Sequence, residues 1–240
     1  MLVSHKYKFV FLKTFKTAST SVEAYLEQFC LPSGADFGGK LTPTSVTEYG
    51  IVAGRGKMNR DHSVPWRGHM PAAEIRQHLG EDIWQDYCKI VTIRNPFPRM
   101  VAAYFARFRP DPEKYDDRPA LHASFRDWLI KGVLDAEGAT VMQSLSDLDI
   151  YGINGEIVAD VFVRIEHLTE DMAALSQRLG LPPLDAAALP HHRKRPKLKQ
   201  LRGDYREYYD DEARAFVAHH FKWELETFGY QFDTAAAVSG

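Results

Sequence analysis

Apolar positions crowd into two short runs, Phe9-Val10-Phe11-Leu12 and Cys88-Lys89-Ile90-Val91-Thr92-Ile93. Each leads into a polar, turn-forming stretch and then into apolar positions at helical spacing. Such runs read as buried strands, and their alternation with amphipathic segments predicts a parallel α/β sheet flanked by helices. The pattern places strands over 7–12, 88–93 and 161–165, with helices over 21–29 and 98–108. A helix over 71–79 opens with proline and stops at Gly80, and one over 124–134 carries Phe125, Trp128, Leu129 and Val133 on one stripe. Asn154-Gly155 has the turn chemistry of a hairpin over 150–158, and Thr169-Glu170-Asp171 opens a helix that Gly180 ends. A last helix over 210–228 sets Ala213, Phe216, Val217, His220, Phe221, Leu225 and Phe228 on one face, before a small-residue tail over 234–240 expected to fray. Residues 31–67 gather Gly, Pro, Ser and Thr clusters and read as a long functional loop with little regular structure.

The turn after the first strand reads Lys16-Thr17-Ala18-Ser19-Thr20-Ser21. Backbone N–H groups at a helix start carry partial positive charge and lack intrahelical partners, so an anion can be cradled there. Ala18 and Ser19 are small enough to let it approach, Thr17, Ser19, Thr20 and Ser21 add hydroxyls, and Lys16 adds a full charge. A hydroxyl-rich helix cap around a solvated lysine is the plainer reading of the same residues. A triphosphate P-loop needs G-x-x-x-x-G-K-[ST], and no glycine stands between Val10 and Gly34.

The second strand delivers Arg94-Asn95-Pro96-Phe97-Pro98-Arg99-Met100-Val101-Ala102-Ala103-Tyr104. Its prolines force a turn, so Arg94 stands at a strand's C-terminal end, where open α/β sheets bind ligands. These two blocks, in this order, resemble the sulfotransferases that use 3′-phosphoadenosine 5′-phosphosulfate, and among them the bacterial and carbohydrate-modifying branch. Val163-Arg164-Ile165-Glu166-His167-Leu168 and Phe228-Gly229-Tyr230-Gln231-Phe232 extend the likeness along most of the chain.

The resemblance implies a P-loop-like three-layer α/β fold with a central parallel sheet, in a single domain over 1–233. It implies that Lys16 and the loop through Ser21 bind the 5′-phosphosulfate and that Arg94 binds the 3′-phosphate. The family motif has serine where this chain has Ala102, which removes one hydroxyl donor from the 3′-phosphate pocket; Ser124, Thr92 or a residue not yet placed is a candidate replacement. The resemblance implies a hydroxyl acceptor, expected on a sugar or glycan, and Tyr49, Trp66, Phe108 and Tyr115 are candidates to stack on it or simply to pack. Sulfuryl transfer needs charge stabilisation on the departing oxygen, assigned to Lys16, and a base for the acceptor proton. Among ten histidines His69 suits the base, with His62 as the alternative. Arg193, Lys194 and Arg195 form a basic block that either closes over the nucleotide or is a solvated linker. Arg99 either orders Glu166 or a helix start, or faces the acceptor. A kinase-like phosphotransferase and a non-catalytic nucleotide-binding protein are the rival readings.

Composition trims these readings. At 240 residues and 45% hydrophobic content the chain can bury one sizeable core, and a net charge of −2 gives no field favouring nucleic acid or anionic membranes. No leader and no membrane-spanning run is apparent, which points to the cytoplasm. Cys30 and Cys88 have no metal-site spacing, so no metal is expected.

Overall fold

The computed structural model describes residues 1–39, 42–55, 63–108, 117–132, 147–185 and 202–233. In chain order these form β1 (Leu2–Ser4), β2 (Phe9–Leu12), α1 (Ser19–Leu26), β3 (Ser45–Thr47), β4 (Gly50–Val52), α2 (Ala72–Leu79), α3 (Glu81–Asp86), β5 (Cys88–Ile93) and α4 (Pro96–Phe108). There follow α5 (Arg118–Lys131), the single turn α6 (Leu148–Tyr151), β6 (Gly152–Ile153), β7 (Glu156–Ile157), β8 (Val161–Arg164), α7 (Leu168–Leu179), α8 (Asp211–His220) and α9 (Lys222–Phe228). They divide into two compact units, Met1–Ile93 with Asp147–His192, and Arg94–Ser146 with Arg193–Gly240.

The first unit holds a six-stranded sheet in the order β3-β4-β1-β2-β5-β8. It is mixed rather than wholly parallel: β2, β5 and β8 run parallel, while β1, β3 and β4 pair antiparallel. The loops joining β1 to β2 and β3 to β4 are too short for a crossover, and a tight connection admits only an antiparallel pair. β3 and β4 also replace part of the loop expected over 31–67, because their three-residue lengths leave little periodicity to read. Phe9, Phe11, Ile90 and Val163 cluster with Val22 and Leu26 of α1 and with Met172 and Leu175 of α7. Val10, Leu12 and Val91 alternate to the opposite face and are buried too, as strands covered on both sides require. The Asn154-Gly155 hairpin forms as read, β6 pairing β7 across residues with φ of 52° and 83°.

The second unit is helical. Its core gathers Met100, Tyr104 and Phe105 of α4, Phe125 and Trp128 of α5, and Tyr208, Val217 and Phe221 from the C-terminal segment. α4 starts at Pro96, two residues before the expected point. Asn95 Oδ1 accepts from Phe97 N–H at 3.1 Å, so both prolines fall in a first turn that needs no N–H of its own. α5 starts at Arg118 rather than 124, because the Asp117 carboxylate accepts from Ala120 N–H at 3.1 Å and caps it. The helix read over 210–228 breaks at Phe221, whose ring is buried. Val133, Tyr115 and the tail over 234–240 lie outside the described residues.

Candidate functional site

β2 and β5 are parallel neighbours in register, with Leu12 opposite Val91, so their C-terminal ends lie side by side. From β2 the chain enters the Lys13–Ala18 turn; Arg94 follows Ile93 in sequence. The turn places two non-glycine residues, Lys16 (φ 58°) and Ala18 (φ 51°), in the left-handed region. Each such residue costs about 1–2 kcal/mol, so the surroundings must hold it.

They do so through hydroxyls. Thr14 Oγ1 donates to the Thr92 carbonyl at 2.6 Å, Thr17 Oγ1 lies 2.8 Å from Thr92 Oγ1, and Ser19 Oγ donates to the Thr14 carbonyl at 2.8 Å. Phe15 N–H donates to the Asp147 carboxylate at 3.0 Å. The side chains of Thr17 and Ser19 therefore build the turn, and what these two residues can offer an anion is backbone N–H. Thr92, a candidate to replace the missing serine at 102, is committed to the same hydroxyl cluster. α1 begins at Ser19 with Ala18 as its cap residue, so no side chain caps it and no acid stands in its first turn. An anion suits that end.

His69 is also in the left-handed region, with φ of 57°. Its imidazole stacks on Phe15 of the turn, centroids 3.8 Å apart and planes within 8°. Nδ1 lies 2.9 Å from the Lys13 carbonyl oxygen. A carbonyl only accepts, so Nδ1 carries the proton and the neutral ring keeps its lone pair on Nε2. Burial first, then the charges of Lys13 and the N-terminal ammonium, lower the His69 pKa to about 4. His69 is thus uncharged at neutral pH.

Beneath the turn lies a buried ionic cluster. Glu23 of α1 takes the Lys13 ammonium at 2.5 Å and the Met1 ammonium at 2.8 Å, and Arg55 pairs with the buried Glu27. Burial alone would raise the Glu23 carboxyl; the surrounding cations overcome it and hold it at about 2. Sequence reasoning missed Lys13, Glu23 and Asp147. The available signal was a lysine directly after an apolar run, facing a glutamate between Val22 and Ala24.

In the second unit, Asn95 Nδ2 donates to the Gln231 carbonyl at 2.9 Å, binding α4 to the C-terminal segment. Ala102 sits half-buried on α4. Ser124 receives a hydrogen bond from the buried Tyr104 hydroxyl at 2.9 Å. Arg99 is buried with its guanidinium 5.5 Å from the Phe221 ring centre. In the first unit Trp66 is buried and edge-on to His78, while Tyr49 is exposed at the β3–β4 turn. Arg193, Lys194, Arg195 and His62 lie outside the described residues.

A family model described as the sulfotransferase family matches residues 1–231, nearly the whole chain. The chain belongs to the sulfotransferase family. It is a transferase enzyme of α/β fold whose activity is sulfuryl transfer. No curated protein and no solved structure gives a significant match. Among the described residues of this sulfotransferase no cluster of His, Cys, Asp or Glu is arranged to hold a metal, and no helix is long and apolar enough to cross a membrane.

Proposed function

We propose that this sulfotransferase moves the sulfuryl group of 3′-phosphoadenosine 5′-phosphosulfate to a hydroxyl of a sugar or glycan, with His69 as general base. The observation that carries the reading is the neutral His69 ring, stacked on the anion turn with Nδ1 anchored and Nε2 left as the lone-pair nitrogen. The donor supplies a sulfuryl group that the acceptor oxygen displaces in line from phosphate. Around that step the chain binds, positions and moves one proton.

Lys16 and the loop from Thr17 to Ser21 hold the 5′-phosphosulfate, the backbone N–H groups of Thr17 to Thr20 and the Ser21 hydroxyl serving as donors because Ser21 N–H already donates to the Ala18 carbonyl at 2.9 Å, and the Lys16 ammonium neutralises charge on the departing oxygen. The strained turn fits this task, since left-handed non-glycine residues held by a hydroxyl cluster fix the backbone donors in advance. Arg94 holds the 3′-phosphate through its planar fork, assisted by Arg193, Lys194 and Arg195. Ala102 contributes no hydroxyl. His69 Nε2 takes the acceptor proton while the Lys13 carbonyl keeps Nδ1–H in place, the orienting arrangement that a histidine base requires.

Residues 1–233 act as one sulfotransferase domain in this reading, supported by a family match that runs through both units. The free thiols of Cys30 and Cys88 support a reducing compartment, the cytoplasm. Replacing Lys16 by alanine is expected to abolish turnover with the labelled donor. His69→Ala is expected to lower the rate by roughly 10² to 10⁴. Wild-type rates in either variant would remove that residue from its role.

A further inference from the structure

The second unit buries polar groups that nothing in the described chain satisfies. Tyr208 is fully buried and its hydroxyl has no hydrogen-bond partner. The His122 ring lies 4.4 Å from the Tyr208 ring, and its Nε2 is likewise buried without a hydrogen bond. Native interiors rarely leave such groups unpaired unless a ligand or water completes them.

Arg202 adds a charge. It is half-buried and makes no hydrogen bond or ion pair with the described residues. Burial lowers its pKa, with Tyr208 as its one interacting neighbour. The next residue, Gly203, has φ of +61°, and a Cβ there would stand 2.6 Å from Arg118 Nη1. The Arg202-Gly203 turn therefore packs against the start of α5, one helical turn before His122.

The nearby acids are already engaged. Glu207 pairs with Arg118 at 2.9 Å and stands 3.9 Å from His122 Nε2, and Asp210 pairs with Arg126 at 3.0 Å. Among the described residues, Arg202 is the cation this cluster leaves uncompensated.

We propose that Arg202, Tyr208 and His122 form a binding site for an oxyanion: a sulfate, phosphate or carboxylate group. Such a group offers only acceptors, and the three side chains offer a guanidinium fork, a hydroxyl O–H and an imidazole N–H. Water would complete the hydroxyl but would leave the Arg202 charge uncompensated. The site uses none of the residues of the Lys16 turn.

The test titrates the full-length protein with inorganic sulfate, with 3′,5′-bisphosphoadenosine and with glucuronate, following the thermal midpoint and the His122 ring resonances. At least one of them should move the His122 resonances in the wild type, and with equal affinity in Lys16→Ala; the midpoint also registers any binding at the Lys16 turn, so the His122 signal is the readout of this site. Which one acts tells whether the oxyanion is a free ion, a nucleotide phosphate or a uronate. Affinity should fall about 10- to 100-fold in Arg202→Gln and in Tyr208→Phe, the loss expected for one hydrogen bond to a charged group. Without anion, Tyr208→Phe should be at least as stable as the wild type, because it removes a buried hydroxyl that lacks a partner. The proposal is overturned if no anion moves His122, if both variants bind like the wild type, or if Tyr208→Phe alone is destabilising.

Discussion

Lys13 connects two parts of the candidate site: its ammonium pairs with Glu23, and its carbonyl receives Nδ1–H of His69. The pH dependence follows from that placement. With a folded pKa of about 4, below the ordinary 6.5, His69 favours folding above pH 6.5, and this contribution is lost as pH falls from 6.5 through 4. For activity, the acidic limb of kcat/KM reports the free enzyme and should lie near pH 4 rather than 6.5. With the proposed donor bound at the Lys16 turn, its phosphates would favour the imidazolium, so the limb of kcat should lie higher than that of kcat/KM. Parallel pH profiles of the two constants check both statements; a kcat limb below the kcat/KM limb would contradict them. At this scale the sequence showed the titrating residue but not its setting. His69 stood out as a histidine beside a helix start. The Lys13 carbonyl that sets its tautomer and the Phe15 ring that stacks on it come together with His69 across more than fifty residues of chain.

At the scale of elements, the parts that read well are those whose local chemistry already agrees with the fold. The strand over 88–93, the Asn154-Gly155 hairpin and the helix ending at Gly180 each carry a periodicity or a turn residue that admits little else. The β3–β4 hairpin did not, because three-residue strands joined by Glu48-Tyr49 show no period and a turn of common residues. The early start of α4 lay in a side chain: Asn95 caps the helix and also holds the Gln231 carbonyl. Asn95→Ala removes both bonds. It should cost about 1–2 kcal/mol, the scale of a lost helix cap, seen as a lower urea midpoint at unchanged slope. An unchanged midpoint would mean that α4 does not depend on this residue.

For the whole molecule, the family match over residues 1–231 establishes the enzyme class, and the strained turn beside a neutral histidine is where we propose that it acts. What the sequence withheld is the acceptor. Its candidate contacts fall on the β3–β4 hairpin, at the last residue of α4 and on segments without a periodic pattern, where composition alone does not fix a surface. The proposed function rests on a single nucleotide being bound by both Lys16 and Arg94. Calorimetric titration with 3′,5′-bisphosphoadenosine tests it most directly. Binding should be metal-independent and weaken about 10-fold or more in Lys16→Ala and in Arg94→Ala alike, as loss of a charged hydrogen bond implies. Equal affinity in either variant, or tighter binding of ATP with Mg²⁺, would contradict it.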